Sequence, residues 1–290
     1  MYQAKELGTD QFAIYTPALT QRASQRLQLE TEMRAAIRTG AGLSLAYQPM
    51  FDLRSGSPVA VEVLLRWNHE RLGSVPPALF VPVAEDIGLM PKLGMWVLSS
   101  AIKQLGCWDE LGVYVPQMCI NVSPTQIERT EFEPGVHKAL DGSGVAGSRL
   151  VLEVTEEALF RTRAVGARTL RHLRADGVQV AIDDFGEGYS SLSRLQNLPV
   201  DVVKIDRAFV GGLSGVRPDF ATRRAVAAAL IELVHALGKS IVVEGVEDAD
   251  TANYLSGQGC ELAQGFLFSQ PLTADQVTSQ WSTLSAAQKV

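Results

Sequence analysis

Between residues 43 and 268 the chain repeats one motif, a short run rich in Val, Ile and other apolar residues followed by a polar or charged residue. Eight such runs stand out: Leu43–Phe51, Val59–Trp67, Gln117–Val122, Leu150–Thr155, Val178–Asp183, Val200–Ile205, Ser240–Val246 and Cys260–Phe268. Their length and β-branched content fit strands buried on both faces. Helical stretches separate most of them. Lys92–Leu111 carries apolar residues at Leu93, Trp96, Val97, Ile102 and Leu105, and Arg163–Ala175 and Phe220–Leu237 are similar. The first two runs are joined only by Asp52–Pro58, too short for a crossover helix, so they should pair as a hairpin. The remaining alternation implies parallel strands. The expected fold is α/β, a TIM-like (β/α)8 barrel with one antiparallel strand. A doubly wound open sheet is the competing architecture.

The polar residues that stand inside or just after seven of these runs form a series: Glu62, Asn121, Glu153, Asp183 with Asp184, Lys204, Glu244 and Gln264. One such residue is ordinarily a strand end meeting solvent. Seven in succession need another reason, because a buried carboxylate costs several kcal/mol unless it is paired or metal-bound. In a barrel the C-terminal strand ends converge on one mouth, where chemistry is placed. Glu62, Asn121, Glu153, Asp183, Asp184 and Glu244 would then face one another. The five carboxylates bring −5 and Lys204 brings +1, so two divalent cations would balance the cluster. All-oxygen ligation favours Mg²⁺, Mn²⁺ or Ca²⁺ over zinc or copper. Two such ions suit phosphodiester hydrolysis. A structural calcium site is the plainer alternative.

Composition narrows the field. The 290 residues are 46% hydrophobic, enough for one large barrel or a barrel with an appendage. A net charge of −6 argues against a broad basic surface for a nucleic acid polymer. The three cysteines, Cys107, Cys119 and Cys260, form no CxxC pair and read as reduced thiols, with a cytoplasmic location as the expectation. The four histidines lack zinc spacing. No apolar run approaches the ~18 residues of a membrane span, so no membrane contact is expected. Thr20–Thr39, with Leu27, Met33 and Ile37 among charges, reads as a polar amphipathic helix ended by Gly40 and Gly42.

The same strings resemble the EAL family of cyclic di-GMP phosphodiesterases. The signature stands as Glu62-Val63-Leu64, with Val where Ala is usual, followed by Leu65-Arg66-Trp67. Tyr47-Gln48-Pro49, Pro77-Ala78-Leu79-Phe80-Val81-Pro82, Asn121-Val122-Ser123 and Glu153-Val154-Thr155-Glu156 also fit. So do Asp183-Asp184-Phe185-Gly186, Lys204-Ile205-Asp206, Glu244-Gly245-Val246-Glu247 and Gln264-Gly265. The resemblance spans residues 41–275 and implies hydrolysis of cyclic di-GMP to linear pGpG. It implies Glu62, Asn121, Glu153 and Asp183 as direct metal ligands, with Asp184 serving the second metal. Lys204 matches the lysine that holds the nucleophilic water, and Glu244 the general base or second-metal partner. Gln48, Leu64 and Arg66 are similar to substrate contacts, Gln264 lies beneath the site, and Glu156 resembles the anchor of the loop after Asp184. Mg²⁺ or Mn²⁺ would be the cofactor and Ca²⁺ inhibitory. A homodimer is implied, pairing near the Asp183–Ser191 loop. Glu187 stands where Thr is usual, which puts the second metal site and full activity in question. A receptor that binds cyclic di-GMP without turnover is the alternative, and a ligand-free regulatory scaffold a third reading.

Residues 1–19, with Met1-Tyr2-Gln3-Ala4-Lys5-Glu6-Leu7-Gly8 and Phe12, resemble the end of a GGDEF diguanylate cyclase domain. The implied organisation is a remnant over 1–19, a connecting helix over 20–40 and the barrel over 41–290. Any membrane tether would then belong to a longer parent protein.

Overall fold

The computed structural model describes residues 17–186, 198–211, 213 and 220–287, giving only the backbone of 17–25 and 283–287. The segment resembling a cyclase domain, Glu187 and most of the Asp183–Ser191 loop lie outside the described residues. The strands are β1 (Leu43–Asp52), β2 (Pro58–His69), β3 (Gly73–Val75), β4 (Gln117–Asn121), β5 (Leu150–Thr155), β6 (Gln179–Phe185), β7 (Val202–Ile205), β8 (Ser240–Val243) and β9 (Leu262–Ala263). Among the described residues the α-helices are α1 (Pro17–Thr39), α2 (Pro77–Asp86), α3 (Met90–Glu110), α4 (Pro124–Ile127), α5 (Phe132–Ser143), α6 (Glu156–Arg161) and α7 (Ala164–Ala175). They continue as α8 (Arg207–Val210), α9 (Phe220–Ala236), α10 (Ala249–Gly257) and α11 (Ala274–Ala287).

The strand order β1-β9-β8-β7-β6-β5-β4-β2 closes through a β1–β2 pairing, making an eight-stranded barrel, and β3 adds a ninth strand beside β2. Strands β2 and β4 to β9 pair in parallel, while β1 runs antiparallel to β9. This is the expected barrel with one reversed strand. Outward-facing residues such as Ile120, Leu152, Val180 and Ile241 pack with Leu98, Ile102, Leu170 and Ile231 of the surrounding helices. Each such side chain, when fully buried, stabilises the fold by roughly 1.5–3 kcal/mol.

The last strand is shorter than its apolar run suggests. Only Leu262–Ala263 is extended, because Gly265 turns against the backbone of Val246: a Cβ there would lie 2.1 Å from the Val246 carbonyl oxygen. β3 was not expected, since Gly73-Ser74-Val75 has too little apolar content to read as a strand.

The chain forms two compact units. One comprises residues up to Leu43 together with Trp67–Leu89. In it Met33, Ala36 and Phe80 are buried, and Trp67 meets Phe80 edge to face at 5.5 Å. Leu27, read from the sequence as part of the apolar face of α1, is 65% exposed. The other unit, Ser44–Arg66 with Met90–Val290, holds the site described below.

Asp201, just before β7, ties that strand to its neighbours. It accepts from Arg174 Nε at 2.9 Å, from a second Arg174 nitrogen, and from the Val180 N–H at 3.0 Å. Burial alone would raise the Asp201 carboxyl, but the Arg174 and Val180 bonds outweigh it and hold it below the ordinary carboxylate range. The Asp201 side chain is 30% exposed, so screening limits its worth. Asp201→Asn should cost about 1 kcal/mol near neutral pH. Because the folded pKa is depressed, that difference is present above the unfolded value of about 3.9 and vanishes as pH falls through the lower folded value. Urea melts of both proteins down to strongly acidic pH test this; a pH-independent gap would show that charge is not its source.

Candidate active site

Side chains alternate along a strand, so residues two apart share a face. The inner face of the barrel carries a buried apolar floor of Met50, Ala60, Cys119, Val151, Ala181 and Val242, with Val202 and Leu262 packed against it. Two residues from each floor position, towards the C-terminal mouth of the parallel strands, stands a polar residue. These are Glu62, Asn121, Glu153, Asp183, Lys204, Glu244 and Gln264, and on the reversed β1 the same step leads back from Met50 to Gln48. The barrel thus stacks a polar ring of eight directly on an apolar ring of eight.

Lys204 is the centre of the ring. It is 1% exposed, and its Nζ lies 2.5 Å from Glu244 Oε1, 3.0 Å from Glu153 Oε1, 3.3 Å from Asp183 Oδ1 and 3.6 Å from Glu62 Oε2. Asn121 Nδ2 donates to Glu62 Oε1 at 3.0 Å and to Glu153 Oε2 at 3.3 Å, and Gln264 Nε2 donates to Glu62 Oε2 at 2.8 Å. Asp183, Asp184 and Glu244 each offer an oxygen, all within 4.8 Å of one another.

One cation does not balance this charge. Burial drives the Glu153 carboxyl well above its ordinary value, with Glu62, Asp183 and Glu244 adding to the effect against Lys204. Burial likewise pushes Glu244 up to about 7, opposed by Lys204 and reinforced by Asp183 and Glu62. Burial pulls the Lys204 ammonium down, but the four carboxylates overcome it and hold it well above its ordinary value. Glu153 Oε1 and Asp183 Oδ1 are buried without a hydrogen bond, although each lies within ion-pair range of Lys204. Orphaned carboxylate oxygens converging at −4 net charge fit hard divalent cations. This is an acidic cluster able to accept metal.

The other expected residues stand around the cluster. Leu64 and Arg66 share the face of β2 that carries Glu62 and are half-buried. The Arg66 guanidinium donates to the Leu65 carbonyl at 3.0 Å; burial lowers its pKa against the pull of Glu62. Gln48 is buried and donates to the Ser269 carbonyl at 3.3 Å. Glu156, at the start of α6, accepts the Gly186 N–H at 2.9 Å. Two participants escaped sequence reasoning. Cys119 forms part of the floor, and its thiol is pushed well up by burial and by nearby Glu153. Phe209 packs on Gly186. The floor could have been found from the apolar residue two positions before each polar one.

A closed, mainly parallel barrel with this mouth defines a TIM-like barrel with an acidic cluster of the kind that could hold metal. The EAL domain model matches residues 30–271, and the chain belongs to that family. It is 37% identical over 266 residues to the cyclic di-GMP phosphodiesterase PA2567 of Pseudomonas aeruginosa, covering 92% of this chain and 44% of that protein. It is 36% identical over 277 residues to the bifunctional diguanylate cyclase/cyclic di-GMP phosphodiesterase MucR of the same organism, covering 96% and 40%. The solved PaMucR phosphodiesterase–c-di-GMP complex superposes with a TM-score of 0.79 at 36% identity, covering 86% of this chain and 99% of that one. The chain spans less than half the length of these curated relatives. Among the described residues, no helix is long and apolar enough to cross a membrane.

Proposed function

We propose that this chain is a metal-dependent phosphodiesterase that opens cyclic di-GMP to linear pGpG. The observation that carries the reading is the buried Lys204 among four carboxylates, two of which keep an orphaned oxygen. The names of the two relatives and the PaMucR–c-di-GMP complex supply the substrate.

Glu62, Asn121, Glu153 and Asp183 would hold one cation, and Asp183, Asp184 and Glu244 a second. Bound there, two divalent ions would polarise the phosphate and make water nucleophilic at neutral pH. The residues do the rest. Lys204 Nζ orients the attacking water, and Glu244 accepts its proton. The water oxygen bonds to phosphorus, the P–O3′ bond breaks, and the leaving O3′ takes a proton from solvent water. Arg66 takes a phosphate oxygen, because a guanidinium matches it in two-point geometry. Leu64 and Gln48 line the substrate path, and Gln264 holds Glu62 from below. Residues 20–40 serve as the connecting helix, 41–290 as the catalytic barrel, and two copies pair in solution.

Release of pGpG from cyclic di-GMP by the purified chain with Mg²⁺ or Mn²⁺ tests the proposal. Binding without turnover would establish the receptor alternative. Ca²⁺ is larger and takes more ligands at longer distance than Mg²⁺. It should therefore bind without supporting efficient hydrolysis, and equal rates in Ca²⁺ and Mg²⁺ would contradict the geometric reasoning.

A further inference from the structure

We propose that Phe209 is a positioning residue for the second cation site, acting on Asp184 through Gly186; this rests on reading the acidic cluster as a metal site. Among the described residues Asp184 is the single non-glycine with positive φ, at 51°. This left-handed conformation is uncommon for a residue with a side chain and persists where the surroundings impose it.

The surroundings are unusual on both sides. Pairing between β6 and β7 shifts register between Ile182 and Phe185, so Asp183 and Asp184 occupy an irregularity in the ladder. Such irregularities re-aim side chains but leave the local backbone less constrained. Asp183 is still held by its contact with Lys204. Just after Asp184 the backbone is held from other segments of the chain. Gly186, two positions on, has φ 104°, and its N–H is held by Glu156 Oε2 at 2.9 Å. The opposite side of Gly186 is closed by the ring of Phe209. A Cβ on Gly186 would lie 2.6 Å from both Cε2 and Cζ of that ring, so the ring edge rests where a side chain would otherwise be.

Phe209 is itself well placed to act as a fixed stop. It lies on α8, which comes directly after β7, and Asp206 caps that helix by accepting the Ala208 N–H at 2.7 Å. The strand that carries Lys204 thus also sets the ring that presses on the Asp184 loop. Glu156 clamps the loop by a hydrogen bond and Phe209 by contact, so Asp184 has its left-handed turn imposed from two sides.

The consequence is selective. Loss of the ring should loosen the site that uses Asp184 and spare the site built from Glu62, Asn121, Glu153 and Asp183, the last of which Lys204 holds in place. Mn²⁺ binding to the full chain, measured without substrate by calorimetry and by the EPR signal of free Mn²⁺, reads this directly. Wild type should show two classes of site. Phe209→Ala should weaken one class about tenfold or more, the usual size of a supporting-residue effect, and leave the other unchanged. Phe209→Leu, which retains apolar bulk, should fall between them and decides the matter if the Ala variant fails to fold. Two unchanged classes, a parallel weakening of both, or one class in wild type would overturn the inference. A wild type that binds no Mn²⁺ would instead remove the metal reading on which it rests, so the two failures are distinguishable.

Discussion

Glu62→Ala is expected to abolish hydrolysis of cyclic di-GMP, by about a thousandfold or more, while the protein stays folded. Both Glu62 oxygens are committed: Oε1 accepts from Asn121, and Oε2 accepts from Gln264 and lies 3.6 Å from Lys204. Removing the carboxylate takes away one charge of the proposed cation site and leaves the Gln264 amide without its acceptor, while Asn121 keeps Glu153. The floor beneath is untouched, and Glu153 loses a like-charged neighbour that raises its pKa. Stability without metal should therefore change little. Turnover assays alongside thermal melts in chelator test both halves, and wild-type turnover by a folded variant would sink the metal assignment.

Lys204→Met should produce the largest loss of stability. The ammonium lies within 3.6 Å of four carboxylates. Replacing it with an apolar side chain of similar length leaves Glu62, Glu153, Asp183 and Glu244 without a cation. Breaking a buried pair in this way costs about 3–5 kcal/mol, and for a chain of this size that lowers Tm by roughly 10 °C. A cation that binds only the folded state recovers stability by mass action. Saturating Mn²⁺ should therefore raise the Tm of the variant more than that of wild type. Melts of both proteins in chelator and in Mn²⁺ measure the two increments. An unchanged Tm in chelator, or equal increments, would show that Lys204 does not act as the resident counter-charge.

The barrel was largely legible in the residues alone. Runs such as Leu150–Thr155 and Val178–Asp183 are apolar on both faces, which only strands covered on both sides require. The short Asp52–Pro58 link could not hold a crossover helix, so the reversed β1 came from chain length alone. The polar ring was legible for a related reason. Glu62, Glu153, Asp183 and Glu244 interrupt runs where an unpaired charge is costly, so each pointed to a common site.

What the sequence determined by itself was the eight barrel strands, the single reversal and the identity of the polar residue that seven of them bring to the mouth. The tertiary structure decided how those residues meet. Which carboxylate touches Lys204 depends on the register between neighbouring strands. Whether Asp184 turns left-handed depends on a register shift and on Phe209 and Glu156, residues 25 and 28 positions away. Local sequence carries propensity and periodicity, which act over a few residues. Register, close approach and charge balance are set between segments distant along the chain, and exist only once the barrel has closed.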